Sequence, residues 1–219
     1  METDALIRQL AGTAAPVRRL QAPWVRAALW LAIGAPVVAA VIWWHGNGGK
    51  LAMAAADPRM MVEAIAMLAT AVTAAIAAFL SVTPGANRRW LWLPAAPLAV
   101  WLLSMGESCV AAARAGGLGA LGIDSDCLLP AVLGGIIPAI VIVAMLRRGA
   151  PMMPRVTLAL AGLAVAGLVN TGLLFFHAGD VSLTVLVWHV GFVAVLAALA
   201  GAAAPAMLSW QRLTGRQPG

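Results

Sequence analysis

The sequence predicts an all-α fold: a polytopic bundle of six transmembrane helices with both termini on the cytoplasmic side. Three observations predict it. Apolar residues fill 63% of the 219 positions and charged residues only 10%, with a mean hydropathy of +0.94. A soluble domain carries about 25% charge, so this chain lacks the charge to cover a soluble surface. Six apolar runs are each long enough to cross ~30 Å of hydrocarbon. The arginines also fall on alternate connections between those runs, as the positive-inside rule requires.

The first element is a cytoplasmic segment, residues 1–23. Glu2 and Asp4 suit the positive end of a helix dipole. Leu6, Ile7 and Leu10 recur at helical spacing on one face, with Arg8 and Gln9 opposite. Pro16 ends that helix and Pro23 precedes the first span. Two readings stay open: a juxtamembrane helix on the lipid surface aided by Arg18 and Arg19, or a short docking element offering its apolar face to a cytosolic partner.

The membrane domain, residues 24–209, follows. Its spans are read as Trp24–Trp44, Met60–Val82, Trp90–Gly106, Cys127–Leu146, Val156–Phe176 and Leu183–Ser209. Helix is the form expected, because an open sheet would leave backbone groups unpaired in lipid. The first run follows a polar stretch and is long enough to span, unlike a cleavable signal peptide. Tryptophans 24, 43, 44, 90, 92 and 210 lie near the span edges, as in an aromatic belt. Thr70/Ala74/Ala78, Gly162/Ala166 and Ala194/Ala198/Ala202 fit a small-xxx-small pattern for close helix contact. Residues 210–219 form a cytoplasmic tail.

With the N-terminus inside, the inner side carries Arg8, Arg18, Arg19, Arg26, Arg88, Arg89, Arg147, Arg148, Arg155, Arg212 and Arg216. The outer side carries only Lys50, Arg59 and Arg114. The net charge of +6 therefore reports topology rather than nucleic-acid binding, for which an interleaved basic-aromatic patch would be needed. Six of the eight acidic residues, Asp57, Glu63, Glu107, Asp124, Asp126 and Asp180, lie at the outer side. So do His45, His177 and both cysteines, while His189 lies a little over two turns into the last span.

Cys109 is expected near the outer end of the third helix and Cys127 in the first turn of the fourth, with a Gly-rich loop between them. Three readings stay open: a structural disulfide, a redox or thiol switch, and a metal site recruiting Glu107, Asp126, His177, Asp180 or His189. The spacing fits no closed zinc pattern. His189 and Glu63 each fit packing within the bundle as well as ligation.

The opening Asp4-Ala5-Leu6-Ile7-Arg8-Gln9-Leu10, then Ala15-Pro16-Val17-Arg18-Arg19-Leu20 and Pro23, resembles the NrsF-like family of bacterial membrane anti-sigma factors. Glu107-Ser108-Cys109, the outer Cys127, and His177 with Trp188-His189 are similar to that family too, over the whole chain. The resemblance implies a non-enzymatic regulator of the bacterial inner membrane with no cofactor. Its partner would be an extracytoplasmic-function sigma factor, contacted through Asp4, Leu6, Ile7, Leu10, Val17, Arg18 and Arg19. A thiol-reactive, oxidative or soft-metal signal at Cys109 and Cys127 would release that partner. The rivals are a membrane thiol oxidoreductase, which commonly has a Cys-x-x-Cys pair, and a small transporter, which would want polar groups at mid-span. Only Asn170 with Thr171 is notably polar there. A catalytic triad and a phosphate-binding loop are absent from the sequence.

Overall fold

The computed structural model describes residues 3–13, 20–45, 56–114, 125–150, 152–176 and 183–208. Among these are seven helices: α1 (Thr3–Thr13), α2 (Pro23–His45), α3 (Pro58–Ser81), α4 (Ala95–Arg114), α5 (Ser125–Leu146), α6 (Pro154–Phe176) and α7 (Leu183–Leu208). Four of them, α2, α3, α5 and α6, contain stretches long and apolar enough to cross a membrane. The fold is all-α, and these helices mark it as a membrane-spanning chain.

Local chemistry sets the helix ends. Asp57 caps α3, its Oδ1 accepting the Arg59 N–H at 2.9 Å, and Pro58 occupies the first turn, where a missing N–H costs nothing. α3 runs to Ser81, and the chain then turns through Thr83-Pro84-Gly85-Ala86. The Ala86 N–H donates to the Thr83 carbonyl at 3.3 Å, and Gly85 takes φ +80°, a backbone region that side chains disfavour. The run expected as a third span from Trp90 to Gly106 is divided. Arg88–Trp92 forms a 3-10 turn capped by Asn87, and α4 begins only at Ala95, the Leu98 N–H bonding the Pro94 carbonyl at 3.0 Å. Leu93 keeps αR dihedrals (φ −53°, ψ −40°), but Pro94 has no N–H to continue the helical hydrogen bonds, so the α-helix starts after it and extends to Arg114, past the expected end. Cys109 therefore lies inside α4 rather than at its tip.

α3 and α6 form the hub. α3 packs on α2, α4 and α6, and α6 on α2, α3, α5 and α7. Within their apolar stretches 61% of α3 and 67% of α6 is buried, against 28% of α2 and 33% of α5. Alanine makes the close approach possible: Ala71, Ala74, Ala75, Ala77, Ala78 and Ala164 are all fully buried. A Cβ at Gly167 would lie 3.1 Å from both the Ala71 nitrogen and the Met67 carbonyl oxygen, so the two backbones meet at that glycine. Of the small-residue patterns, Thr70/Ala74/Ala78 is buried in this contact, and Ala166 is buried beside Gly167. Ala194, Ala198 and Ala202 instead lie exposed on α7, because α7 turns a different face toward α6.

The helices alternate in direction. The two ends of the bundle are consequently different in chemistry, and are called here the arginine end (start of α2, end of α3, end of α5, start of α6, end of α7) and the acidic end.

Candidate functional site

α1 is the first candidate. Asp4 stands in its first turn, and the Arg8 Nε donates to the Asp4 carbonyl at 3.2 Å, across one turn. Leu6, Ile7 and Leu10 are 41%, 57% and 61% exposed. Three large aliphatic side chains on an 11-residue helix are thus turned to the surroundings rather than into the bundle. Such a helix is too short to be stable alone in water, and its apolar stripe is suited to a lipid surface or a partner's groove. Val17, Arg18 and Arg19 lie outside the described residues.

At the acidic end, α3 and α4 are stitched by two polar contacts one turn apart. Arg59 Nη2 lies 3.0 Å from Glu107 Oε1. The Ser104 hydroxyl donates to Glu63 Oε1 at 3.1 Å. Arg59 and Glu63 are four apart on α3, and Ser104 and Glu107 three apart on α4, so each pair shares one helix face. Glu63 is buried, and its carboxylate accepts a hydrogen bond from Ser104. Glu107 is engaged by Arg59, two residues before Cys109.

The cysteine backbones are placed in helices, Cys109 in α4 and Cys127 in the first turn of α5, with Asp126 beside it. Their side chains lie outside the described residues, as does that of His189 on α7; His177 and Asp180 lie outside them altogether. Among the described residues no three or more His, Cys, Asp or Glu side chains gather as a metal site would require.

Among the described residues, buried side-chain atoms without a hydrogen-bond partner are the Trp101 Nε1 and both amide atoms of Asn170, further into the bundle, and Arg26 Nη1 at the arginine end. Trp101 is 2% exposed and Asn170 1%. Thr171, by contrast, donates to the Gly167 carbonyl at 2.8 Å, as an intrahelical serine or threonine usually does. The Asn170–Thr171 pair read from the sequence as polar mid-span is thus one satisfied residue and one unsatisfied one.

At the arginine end, sequence reasoning counted Arg26 only as a topology signal, but it is a structural node. It is 4% exposed. Its Nη2 donates to the Met145 carbonyl in the last turn of α5, and its guanidinium sits 4.4 Å from the centre of the Phe79 ring. It therefore joins α2, α3 and α5 by supplying a donor and a positive charge to a helix C-terminus, where both are favoured, and by stacking on an aromatic face. Arg147 does the same for α7, its Nε reaching the Met207 carbonyl at 3.2 Å. Ser81 and Thr157 hydroxyls meet at 2.7 Å between α3 and α6, and the Ala150 N–H bonds the Val82 carbonyl at 3.1 Å. No sequence motif marks these contacts, because each joins residues distant in the chain.

Fold and site together define a helical membrane protein with an exposed amphipathic segment at one end of its chain and no assembled catalytic group among the described residues. The model of the NrsF family, described as negative regulator of sigma F, matches residues 10–210, and the chain belongs to that family. The match begins at Leu10, so it takes in Val17, Arg18 and Arg19 and both cysteines but not Asp4, Leu6 or Ile7. Nothing among the curated proteins or the solved structures matches the chain. The family description is that of a regulator acting on a sigma factor, not of an enzyme.

Proposed function

We propose that this chain is an anti-sigma factor of the bacterial inner membrane that holds an extracytoplasmic-function sigma factor through α1 and the residues after it. The carrying observation is the outward-facing Leu6, Ile7 and Leu10 of α1, in a chain whose family is described as negative regulator of sigma F. The docking set is Asp4, Leu6, Ile7 and Leu10 with Val17, Arg18 and Arg19. The arginine end faces the cytoplasm, since eleven arginines, Arg8 on the docking helix among them, are assigned to its side against only Lys50, Arg59 and Arg114 on the other, and basic residues gather on the cytoplasmic side.

Cys109 and Cys127 on the opposite side receive a thiol-reactive, oxidative or soft-metal signal. A signal can shift the bundle only by interacting differently with two of its states. α4 carries Cys109 and is tied to the hub helix α3 through Arg59–Glu107 and Glu63–Ser104. A change at Cys109 thus reaches α3, whose far end contacts Arg26 through Phe79; Arg26 is three residues from Pro23, where the docking segment enters the membrane domain. Glu107 and Asp126 flank the cysteines, and His177, Asp180 and His189 are the further groups that a metal signal would engage.

Two measurements test this reading. Full-length protein, purified in detergent, is expected to co-purify with a sigma factor identifiable by mass spectrometry, and Leu6→Asp/Leu10→Asp is expected to lower the yield at least about tenfold, since two buried apolar contacts are each worth roughly 1.5 kcal/mol or more. Absence of any sigma factor from the wild-type eluate sinks the proposal. For the signal, Cys109→Ser/Cys127→Ser is expected to retain the sigma factor under oxidant or soft-metal challenge; release from that variant overturns the sensor assignment and leaves the docking assignment standing.

A further inference from the structure

The arginine end holds a cleft of about 60 Å³ where α3 finishes and α6 starts. Its lining is divided in character. Leu80, Leu91 and Met152 supply an apolar wall, and Ser81, Asn87 and Arg88 a polar one. The polar groups do not offer themselves equally. The Ser81 hydroxyl is committed to Ala78 and Thr157. The Asn87 Oδ1 accepts the Arg89 N–H at 3.0 Å, which leaves the amide NH2 to donate. Arg88 is exposed and has no hydrogen bond or ion pair among the described residues. The uncommitted groups are therefore donors, one of them a full positive charge, and the described carboxylates of the bundle (Asp57, Glu63 and Glu107) stand at the other end. A site with free donors and a cation takes an anion.

Two further observations say what carries that anion. The cleft lies at the boundary where two apolar helices end, at Ser81 and Pro154. Trp90 and Trp92, on either side of the lining residue Leu91, are 53% and 78% exposed, and tryptophan rings exposed on a membrane protein settle at headgroup depth. Met152 is also exposed, at 64%, extending an apolar surface outward from the cleft.

We propose that this cleft is a binding site for the phosphate headgroup of one anionic phospholipid, with Arg88 and the Asn87 amide on the phosphate and Leu91, Met152 and the flanking tryptophans against the glycerol and upper acyl chain. It rests on the membrane reading of the chain and is independent of the sigma-factor reading. A cleft of this volume takes a phosphate group but not a helix, which separates it from a docking groove.

The test uses the full-length protein in mild detergent, titrated with phosphatidylglycerol or phosphatidylcholine of the same chain length and read by native mass spectrometry. Phosphatidylglycerol is expected to be retained in preference, by roughly five-fold, the gain that one arginine brings at an anionic surface. Arg88→Gln is expected to bring the two lipids to parity, with thermal unfolding unchanged because Arg88 is exposed. Arg114→Gln, an exposed arginine on α4 near the other end, is expected to leave the preference intact. Equal retention of both lipids by the wild type overturns the site, and so does an unchanged preference in Arg88→Gln. Full displacement by inorganic phosphate would show a free-anion site, and displacement by an acidic peptide a partner site; either result overturns the assignment to lipid.

Discussion

At the arginine end, contacts join helices far apart in the chain; at the acidic end, the polar contacts described stay between neighbours α3 and α4. Arg26 reaches Met145, Arg147 reaches Met207 and Ser81 reaches Thr157, tying five helices together. At the acidic end the stitches are Arg59–Glu107 and Glu63–Ser104; unpaired polar atoms occur at Arg26 Nη1 in the arginine end and at Trp101 and Asn170 further into the bundle. The difference teaches where this bundle can change. An end cross-linked among many helices moves as a unit, whereas among the described residues α4 is held on α3 by these two polar contacts and by the packing of Trp101 and Met105 on Ala66 and Met67. A membrane protein gains little from burying apolar surface against itself, since lipid is as apolar as leucine. Its polar contacts and close packing therefore weigh more in deciding which parts are firm.

The comparison can be broken most directly at Arg26. Arg26→Leu removes the bond to the Met145 carbonyl and the stacking on Phe79, and is expected to destabilise the protein by roughly 2 kcal/mol, the scale of a charge-assisted hydrogen bond. Thermal unfolding in detergent reads this, and Arg26→Lys should recover part of the loss. An Arg26→Leu protein as stable as wild type would deny that this end is the firm one. A smaller change of opposite sign is expected at Asn170. Asn170→Leu removes a buried amide with no partner and should stabilise by about 1 kcal/mol. Destabilisation in the same assay would mean that Asn170 is satisfied in the working protein. The smallest effect is expected at Glu107. Its pair with Arg59 is half-exposed on one side and well exposed on the other, so Glu107→Gln should cost no more than about 0.5 kcal/mol and lose even that at high salt. A larger loss would mean the acidic end is held as firmly as the other.

Much of this was legible in the residues. The apolar runs coincide with helices to within a few residues wherever a capping group or a proline in the first turn defines the start, as at Asp57-Pro58 and Pro154. The run from Trp90 divides where hydropathy is blind: Pro94 lacks the N–H that would continue the helical hydrogen bonds, without making the segment polar. α1 was legible from Asp4 and the spacing of Leu6, Ile7 and Leu10, and it ends at Thr13, just before Pro16. The family was legible as well: the resemblance carried by the N-terminal motif and the cysteine pair agrees with a match over residues 10–210.

What the sequence by itself determined is what depends on composition and local order: a helical bundle, apolar spans, arginines gathered toward one end, and an amphipathic segment ahead of the first span. Each follows from how a residue meets solvent, lipid or its near neighbours on one helix. Only the tertiary structure decided that α3 and α6 are the hub and that their backbones meet at Gly167. It also decided that Arg26 and Arg147 cap the ends of helices other than their own, and that Asn170 is buried without a partner while Thr171 beside it is satisfied. These facts depend on which helix face meets which. Between helices made largely of alanine, leucine and valine, many faces look alike in sequence, and a few backbone carbonyls and one glycine select among them.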